Sequence, residues 1–337
     1  MTTAPAISNR DRVRDGVYRY GLLVLLVALV VYFAASEPSF GTWRNALVIL
    51  QGVAITAIVA LGVTISLSVN GFDLSVGSVV SLVVMLTAAS QVYWNLGPVW
   101  AIVIGLAAGL FVGLINGLLI VVARIPDLLA TLGTMFVFAG LSLVLTSGQS
   151  IASGSIYNGE PSTGKIGTEF LWLGRGDVLG VPFSVLVMVV LGVLVTVFLS
   201  RSRSGRLFGA IGGNPEAARL SGVAVGKYKV LAYMLSGLLA SIGGILLTAR
   251  LGRGDVGVGG DYLLETVSAA LIGYAVLGAN KPNGFGTVIG AIFVGIVLNG
   301  LTMMNVPYYT QDFIKGALLV GALVLSFSAI FKRKDLL

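Results

Sequence analysis

The residues able to do chemistry are few. With no histidine and no cysteine among 337 residues, the chain lacks the commonest general base and metal ligand and all thiolate chemistry. Neither a Ser–His nor a Cys–His nucleophile pair can be assembled. A phosphate-cradling GxxxxGK(S/T) loop is also missing: Gly164-Lys165 and Gly226-Lys227 lack both the upstream glycine pattern and the following Ser or Thr. The sequence therefore predicts a chain that hydrolyses no nucleotide, holds no metal cluster and carries no cofactor of its own. What remains is a handful of carboxylates, amides and hydroxyls beside long apolar runs, a repertoire for binding and coupling.

Three polar stretches hold those groups. In VNGFDLSVGSVVSL (69–82), Asn70-Gly71 is a turn signal. Asp73, ahead of Leu74 and Ser75, reads either as an N-cap for the next helix or as a carboxylate lining a path through a membrane. In RIPDLLATLGT (124–134), Arg124 anchors an interface and Pro126 starts a helix. Thr131, Gly133 and Thr134 allow close helix packing or line a path. The third stretch, GNPEAARLSG (213–222), spells a short capped helix. Asn214 is a good N-cap, Pro215 suits the first helical position, and Glu216 favours the positive helix end. Ala217, Ala218, Arg219 and Leu220 propagate the helix, and Gly222 can end it in a left-handed turn. Its apolar face is small and alanine-rich, poor for burial in lipid and suited to a protein groove.

The elements that must position these groups are membrane helices. Hydrophobic residues make up 56% of the chain and charged residues only 10%, against roughly a quarter charged in soluble domains. Such a chain cannot cover itself with polar surface. Glycine, at 46 residues, is about twice its usual share, and in a bilayer it lets backbones approach closely. Apolar spans are read at 21–35, 45–69, 77–95, 98–122, 128–146, 181–199, 230–249, 263–278, 285–304 and 313–330. The fold class expected is an all-α polytopic membrane protein with about ten spans. A long polar loop covers 147–180, and Lys281-Pro282-Asn283-Gly284 makes a tight turn. Asp261 and Glu265, near the outer surface, read as solvated or capping residues.

The net charge of +7 is a topology signal rather than a nucleic-acid footprint, because the basic residues flank apolar segments. With the N-terminus in the cytoplasm and ten alternating spans, 15 of the 21 Lys and Arg fall on the inner side. Both termini are thus expected inside, with 213–222 on the cytoplasmic face. A faint echo links VGLINGLL (112–119) and VGIVLNGL (294–301). The two spans run in opposite directions, as in an inverted repeat.

GFDLSVGS, ATLGT, GGNPEAARLSGV and AVLGANKPNGFGTVIGA together resemble the permease subunits of bacterial ABC importers for monosaccharides of the ribose, xylose and arabinose type, over about residues 20 to 330. The resemblance implies a type II-like importer permease fold. It divides the chain into a cytoplasmic segment at 1–20, a transmembrane permease domain at 21–330 and a cytoplasmic tail at 331–337. It also implies that the helix around Glu216, Ala217, Ala218 and Gly222 contacts a separate ATPase, which holds the ATP and magnesium. The other partners implied are a second permease, identical or a paralogue, and an extracytoplasmic sugar-binding protein, with membrane lipid around the assembly and no nucleic acid. The location implied is the bacterial inner membrane. Where many members carry GG-x-S-x-GG-x-G, this chain has Gly278, Ala279, Asn280, Lys281, Pro282, Asn283 and Gly284. Related permeases carry rhamnose, inositol, autoinducer-2 or other polyols. The alternative class is an ion-coupled secondary transporter of a small polar solute, against which stand the absent histidine and the scarcity of deep carboxylates.

Overall fold

A helix that is apolar all round must be surrounded by protein or lipid, and the second helix of this chain is surrounded by protein. The computed structural model describes residues 9–275 and 281–334. In it α1 (Asn9–Ser36) leads to α2 (Trp43–Leu67), which is buried continuously from Val53 to Ser66. Packed around α2 are α7 (Phe183–Arg201), α10 (Val225–Leu251), α11 (Val258–Ala275) and α12 (Gly284–Met303). Next to α10 stand α3 (Val76–Val92) and α4 (Pro98–Val121), with α5 (Asp127–Val144) outside them. The last helix, α13 (Gln311–Lys334), follows a single 3-10 turn at Tyr308–Thr310 and packs on α11.

Six of these helices are long and apolar enough to cross a membrane: α2, α4, α5, α7, α10 and α12. Helices also form at the other four expected spans, α1, α3, α11 and α13. Of the most apolar stretch, 67% is buried inside the protein in α2 but only 28% in α5 and α7. The outward faces of α4, α5 and α7 carry Val103, Phe111, Leu129, Phe136, Val190 and Val193, all exposed. In water that surface would be untenable; in hydrocarbon it meets its own kind.

Glycine sets the closest helix pair. Gly105, Gly109, Gly113 and Gly117 recur every fourth residue on α4, so they share one face, and all are buried. That face lies against α10: a methyl at Gly109 would strike the Gly237 carbonyl, and one at Gly113 the backbone of Tyr233 and Met234. A methyl at Gly237 would meet Gly109 in return. This is the small-xxx-small contact by which membrane helices associate without a hydrophobic driving force.

The two ends of the bundle differ. At ~1.5 Å per residue, the 27 residues of α10 span the full height. At its end sits a polar module that the sequence reading left as loop: hairpins Ile156–Tyr157 with Glu160–Pro161 (β1, β2) and Asp177–Val178 with Val181–Pro182 (β3, β4), flanking α6 (Thr168–Arg175). Arg175 ties this module down by donating to the Arg250 and Leu251 carbonyls at 2.9 and 2.8 Å. At the start of α10 lie two further helices, α8 (Arg203–Gly213) and α9 (Pro215–Leu220). The sequence predicts no element at the first of these. It is amphipathic, with Phe208 and Ile211 fully buried, and Ser202 caps it by accepting from the Gly205 N–H at 2.8 Å.

Candidate functional site

Helix α9 is built as its sequence spells. Asn214 Oδ1 accepts from the Glu216 and Ala217 N–H groups, both at 3.0 Å, a cap worth about 1 kcal/mol. Pro215 fills the first helical position, and Gly222 beyond it sits at φ +81. The helix is narrower than 214–222, since it holds six residues. Its two faces differ sharply. Ala218 is buried in an apolar cluster with Ile65 of α2, Phe208 and Ile211 of α8 and Val225 of α10. Outward point Glu216 and Arg219, paired at 3.4 Å and both exposed, together with Leu220, 82% exposed. A small helix thus rests on α8 and α10 and offers an ion pair and a leucine to whatever lies beyond.

The other sequence candidates gather at the same end, but inside the protein. Asp73 is 1% exposed. Its Oδ1 accepts from the Ser75 N–H at 3.0 Å and the Ser75 hydroxyl at 2.6 Å, and its Oδ2 from the Ser236 hydroxyl of α10 at 2.7 Å. Ser75, not Asp73, stands at the N-cap position of α3. The carboxylate closes a turn two residues long, a geometry short polar side chains favour, and so takes a backbone N–H at the entry to α3 while also reaching across to α10. Ser75 Oγ accepts from Asn116 Nδ2 of α4 at 2.8 Å, and Asn116 Oδ1 accepts from Thr134 of α5 at 2.6 Å. Thr131 donates to the Phe72 carbonyl at 3.1 Å, and Asp127 accepts from the Phe72 N–H at 2.7 Å. The structure therefore brings Asp73, Ser75, Thr131 and Thr134 into one hydrogen-bonded chain through α3, α4, α5 and α10. Asn70 is apart from it, exposed, with φ 55.

Reading the sequence missed the residues that join this chain: Asn116, Asp127 and Ser236. Asn116 had a signal, since it lies in the INGLL of the echo, and Asp127 follows Pro126 at a helix start. Ser236 had none, being one serine in a small-residue stretch. Gly278, Ala279 and Asn280 lie outside the described residues. Beyond them Asn283 caps α12, accepting from the Gly286 N–H at 2.6 Å.

A second polar locus was also missed. Near the α6 end a cavity of about 240 Å³ opens between α2, α11 and α12. Its apolar walls carry Thr56, Arg250, Glu265, Asn299 and Thr302. Glu265 is neither solvated nor a cap: it pairs with Lys315 of α13 at 3.0 Å, both side chains less than 20% exposed, and accepts from the Thr56 hydroxyl at 3.2 Å. Helix α11 reaches this point two turns below its start, so a carboxylate read as superficial lies inside the bundle.

Known proteins match the chain over nearly its whole length. The chain is 33% identical over 325 residues to the ribose import permease protein RbsC of Escherichia coli (strain K12), covering 96% of this chain and 98% of that one. It is 37% identical over 329 residues to RbsC of Bacillus subtilis (strain 168), with the same coverage. To the xylose transport system permease protein XylH of Haemophilus influenzae it is 30% identical over 364 residues, covering 92% of this chain and 96% of that one. No solved structure matches. The family model described as branched-chain amino acid transport system / permease component matches residues 45–323, and the chain belongs to that family of membrane transport permeases.

Proposed function

We propose that this chain is the translocation subunit of an ATP-driven importer in a bacterial inner membrane, passing a monosaccharide or similar polyol delivered by a binding protein. The family description names branched-chain amino acids, but the relatives matched end to end are named for ribose and xylose, which favours a sugar. Ten helices cross the bilayer on this reading, the six apolar ones and α1, α3, α11 and α13. Both termini and α9 lie in the cytoplasm, as the distribution of Lys and Arg supports, and the α6 module faces outward. Helices α4 and α12 are then counterparts in an inverted repeat.

The observation that carries this reading is α9. A separate ABC ATPase needs a rigid foot to push, and α9 is short, capped, and packed on α8 and α10 with Ala218 in the apolar cluster that also holds Ile65 of α2. Asn214, Pro215 and Gly222 define its ends, Ala218 its inner side, and Glu216, Ala217 and Arg219 the exposed contacts offered to the ATPase. ATP closing the ATPase dimer moves this foot, and the helices it touches tilt as rigid bodies. A second permease, identical or a paralogue, completes the path. In that cycle Asp73, Ser75, Thr131 and Thr134 form the inner polar seam, closed in the present conformation and parting as α10 moves relative to α5, while Asn70, exposed outside the seam, meets the solute only once the path opens. Nothing favours ion coupling: the two carboxylates inside the bundle, Asp73 and Glu265, both have hydrogen-bond or ion-pair partners.

The test is uptake of labelled D-ribose and D-xylose by vesicles holding the chain, its ATPase and its binding protein. ATP inside the vesicles is expected to drive uptake, and Glu216→Lys to abolish it with the permease still folded. Uptake driven by a proton or sodium gradient without ATP would overturn the reading.

A further inference from the structure

The cavity near the α6 end is lined on α2 from Val48 to Thr56, about 12 Å of helix at ~1.5 Å per residue, so it reaches well below the polar module. The functional reading above leaves it without a role. Its polar groups are not symmetric in what they offer. Arg250 donates once, to the Gln51 carbonyl at 3.3 Å, and among the described residues no carboxylate pairs with it. Among the described residues its remaining N–H groups have no acceptor. Asn299 uses its carbonyl to accept from Asn45 at 3.2 Å, which leaves its two N–H donors. Glu265 holds Lys315 and Thr56, one on each oxygen, and each carboxylate oxygen retains a further lone pair.

A half-buried guanidinium with donors unused is costly in an apolar setting unless something else satisfies it. The cavity's volume of about 240 Å³ equals that of about eight waters at ~30 Å³ each. A solute of monosaccharide size replaces such a cluster. Charge selects its class: a solute cation meets Arg250, and a solute anion meets Glu265, which faces the same space. A neutral ring whose hydroxyls both donate and accept uses both.

We propose that this cavity is a solute subsite of the transport pathway, taking a neutral monosaccharide or cyclic polyol. Arg250 and Asn299 donate to its oxygens, and Glu265, held in place by Lys315 and Thr56, accepts from a hydroxyl. The proposal rests on the importer reading and names where the solute first lodges inside the permease.

Because the chain has no cysteine, the cavity can be probed with one introduced thiol. Thr302→Cys at its rim is labelled in right-side-out vesicles with a membrane-impermeant maleimide. Leu179→Cys, at a position 100% exposed between β3 and β4, serves as the control. D-ribose or D-xylose at about 100 mM fills two-thirds of a site with a Kd of about 50 mM, which slows labelling at 302 about threefold and leaves 179 unchanged. Sucrose, too large for the space, gives no protection. In Arg250→Ala and in Asn299→Leu the protection is lost; the second variant carries the test if the first fails to fold.

Four results overturn the proposal: no labelling at 302, no slowing by either sugar, equal slowing by sucrose, or protection that survives both substitutions. Failure here leaves ATP-driven uptake intact, whereas uptake without ATP sinks the importer reading and leaves the protection in place.

Discussion

Asp73 is the residue whose removal should hurt most, and the structure says how it should hurt. Its two oxygens accept from three buried donors: the Ser75 N–H, the Ser75 hydroxyl and the Ser236 hydroxyl. Asp73→Ala orphans all three at once. Each unsatisfied buried donor costs about 1–3 kcal/mol, and rotation of the two hydroxyls recovers part of the sum, giving a loss of about 3–6 kcal/mol. Asp73→Asn is different. The amide oxygen keeps both Ser75 bonds, and its N–H₂ takes the place of Oδ2. The Ser236 hydroxyl then turns to accept instead of donate. Removing a buried charge also relieves its desolvation, so the asparagine variant should lose about 1 kcal/mol or less. Thermal unfolding of the purified chain in detergent, followed by tryptophan fluorescence, reads the difference. At roughly 2–4 °C per kcal/mol for a chain of a few hundred residues, alanine should lower the midpoint by roughly 6–24 °C and asparagine by a few degrees. The reasoning fails if asparagine is as damaging as alanine, for then the charge itself holds the inner end together. It fails equally if alanine is harmless. Transport by the asparagine variant slows only if this carboxylate reaches the solute during the cycle.

Other outcomes follow from the same geometry. Gly113→Ala places a methyl against the Tyr233 and Met234 backbone and should cost about 1–3 kcal/mol by overpacking. Gly133→Ala on α5 meets open space and should be neutral or stabilising by up to about 1 kcal/mol; equal midpoints for the two would refute the close α4–α10 contact. Glu216→Lys should leave the unfolding midpoint within about 0.5 kcal/mol, as for other exposed sites, while ATPase copurification and ATP-driven uptake collapse; unchanged uptake would refute docking on α9. Lys315→Met leaves the Glu265 carboxylate with Thr56 alone, and breaking such a mostly buried pair should cost about 3–5 kcal/mol. Adding Glu265→Gln should recover most of that loss in the same unfolding assay, and a double variant no better than the single would remove the pair from the account.

Where the sequence was readable, the signal was local. Helix α9 follows from a cap, a proline, four helix formers and a glycine within ten residues, and each acts over one turn. The apolar runs announced every membrane-sized helix because hydrocarbon demands length and apolarity from each span separately. The polar loop at 147–180 was harder. Its hairpins are two residues per strand, too short for alternation to register, and α6 is held by its seat on the end of α10 rather than by its own periodicity. Helix α8 hid because its arginines and glycines outweigh two buried side chains, Phe208 and Ile211. Asp73 was visible as a polar intruder, but cap and pathway could not be told apart, since the deciding partner, Ser236, lies 163 residues away.

The sequence by itself determined that the chain lives in a bilayer, that it has neither histidine nor cysteine to offer, and that a small capped helix interrupts its grease. Composition and short-range hydrogen bonding are properties of neighbours along the chain. Only the tertiary structure decided which polar groups meet, Asp73 with Ser236, Asn116 with Thr134 and Glu265 with Lys315, and that Arg250 and Asn299 line one cavity. Those pairings depend on how glycine-lined helices nest and on how far each is slid along its neighbour. A membrane helix carries little record of that in its own order, because lipid and protein ask for much the same apolar residues on every face.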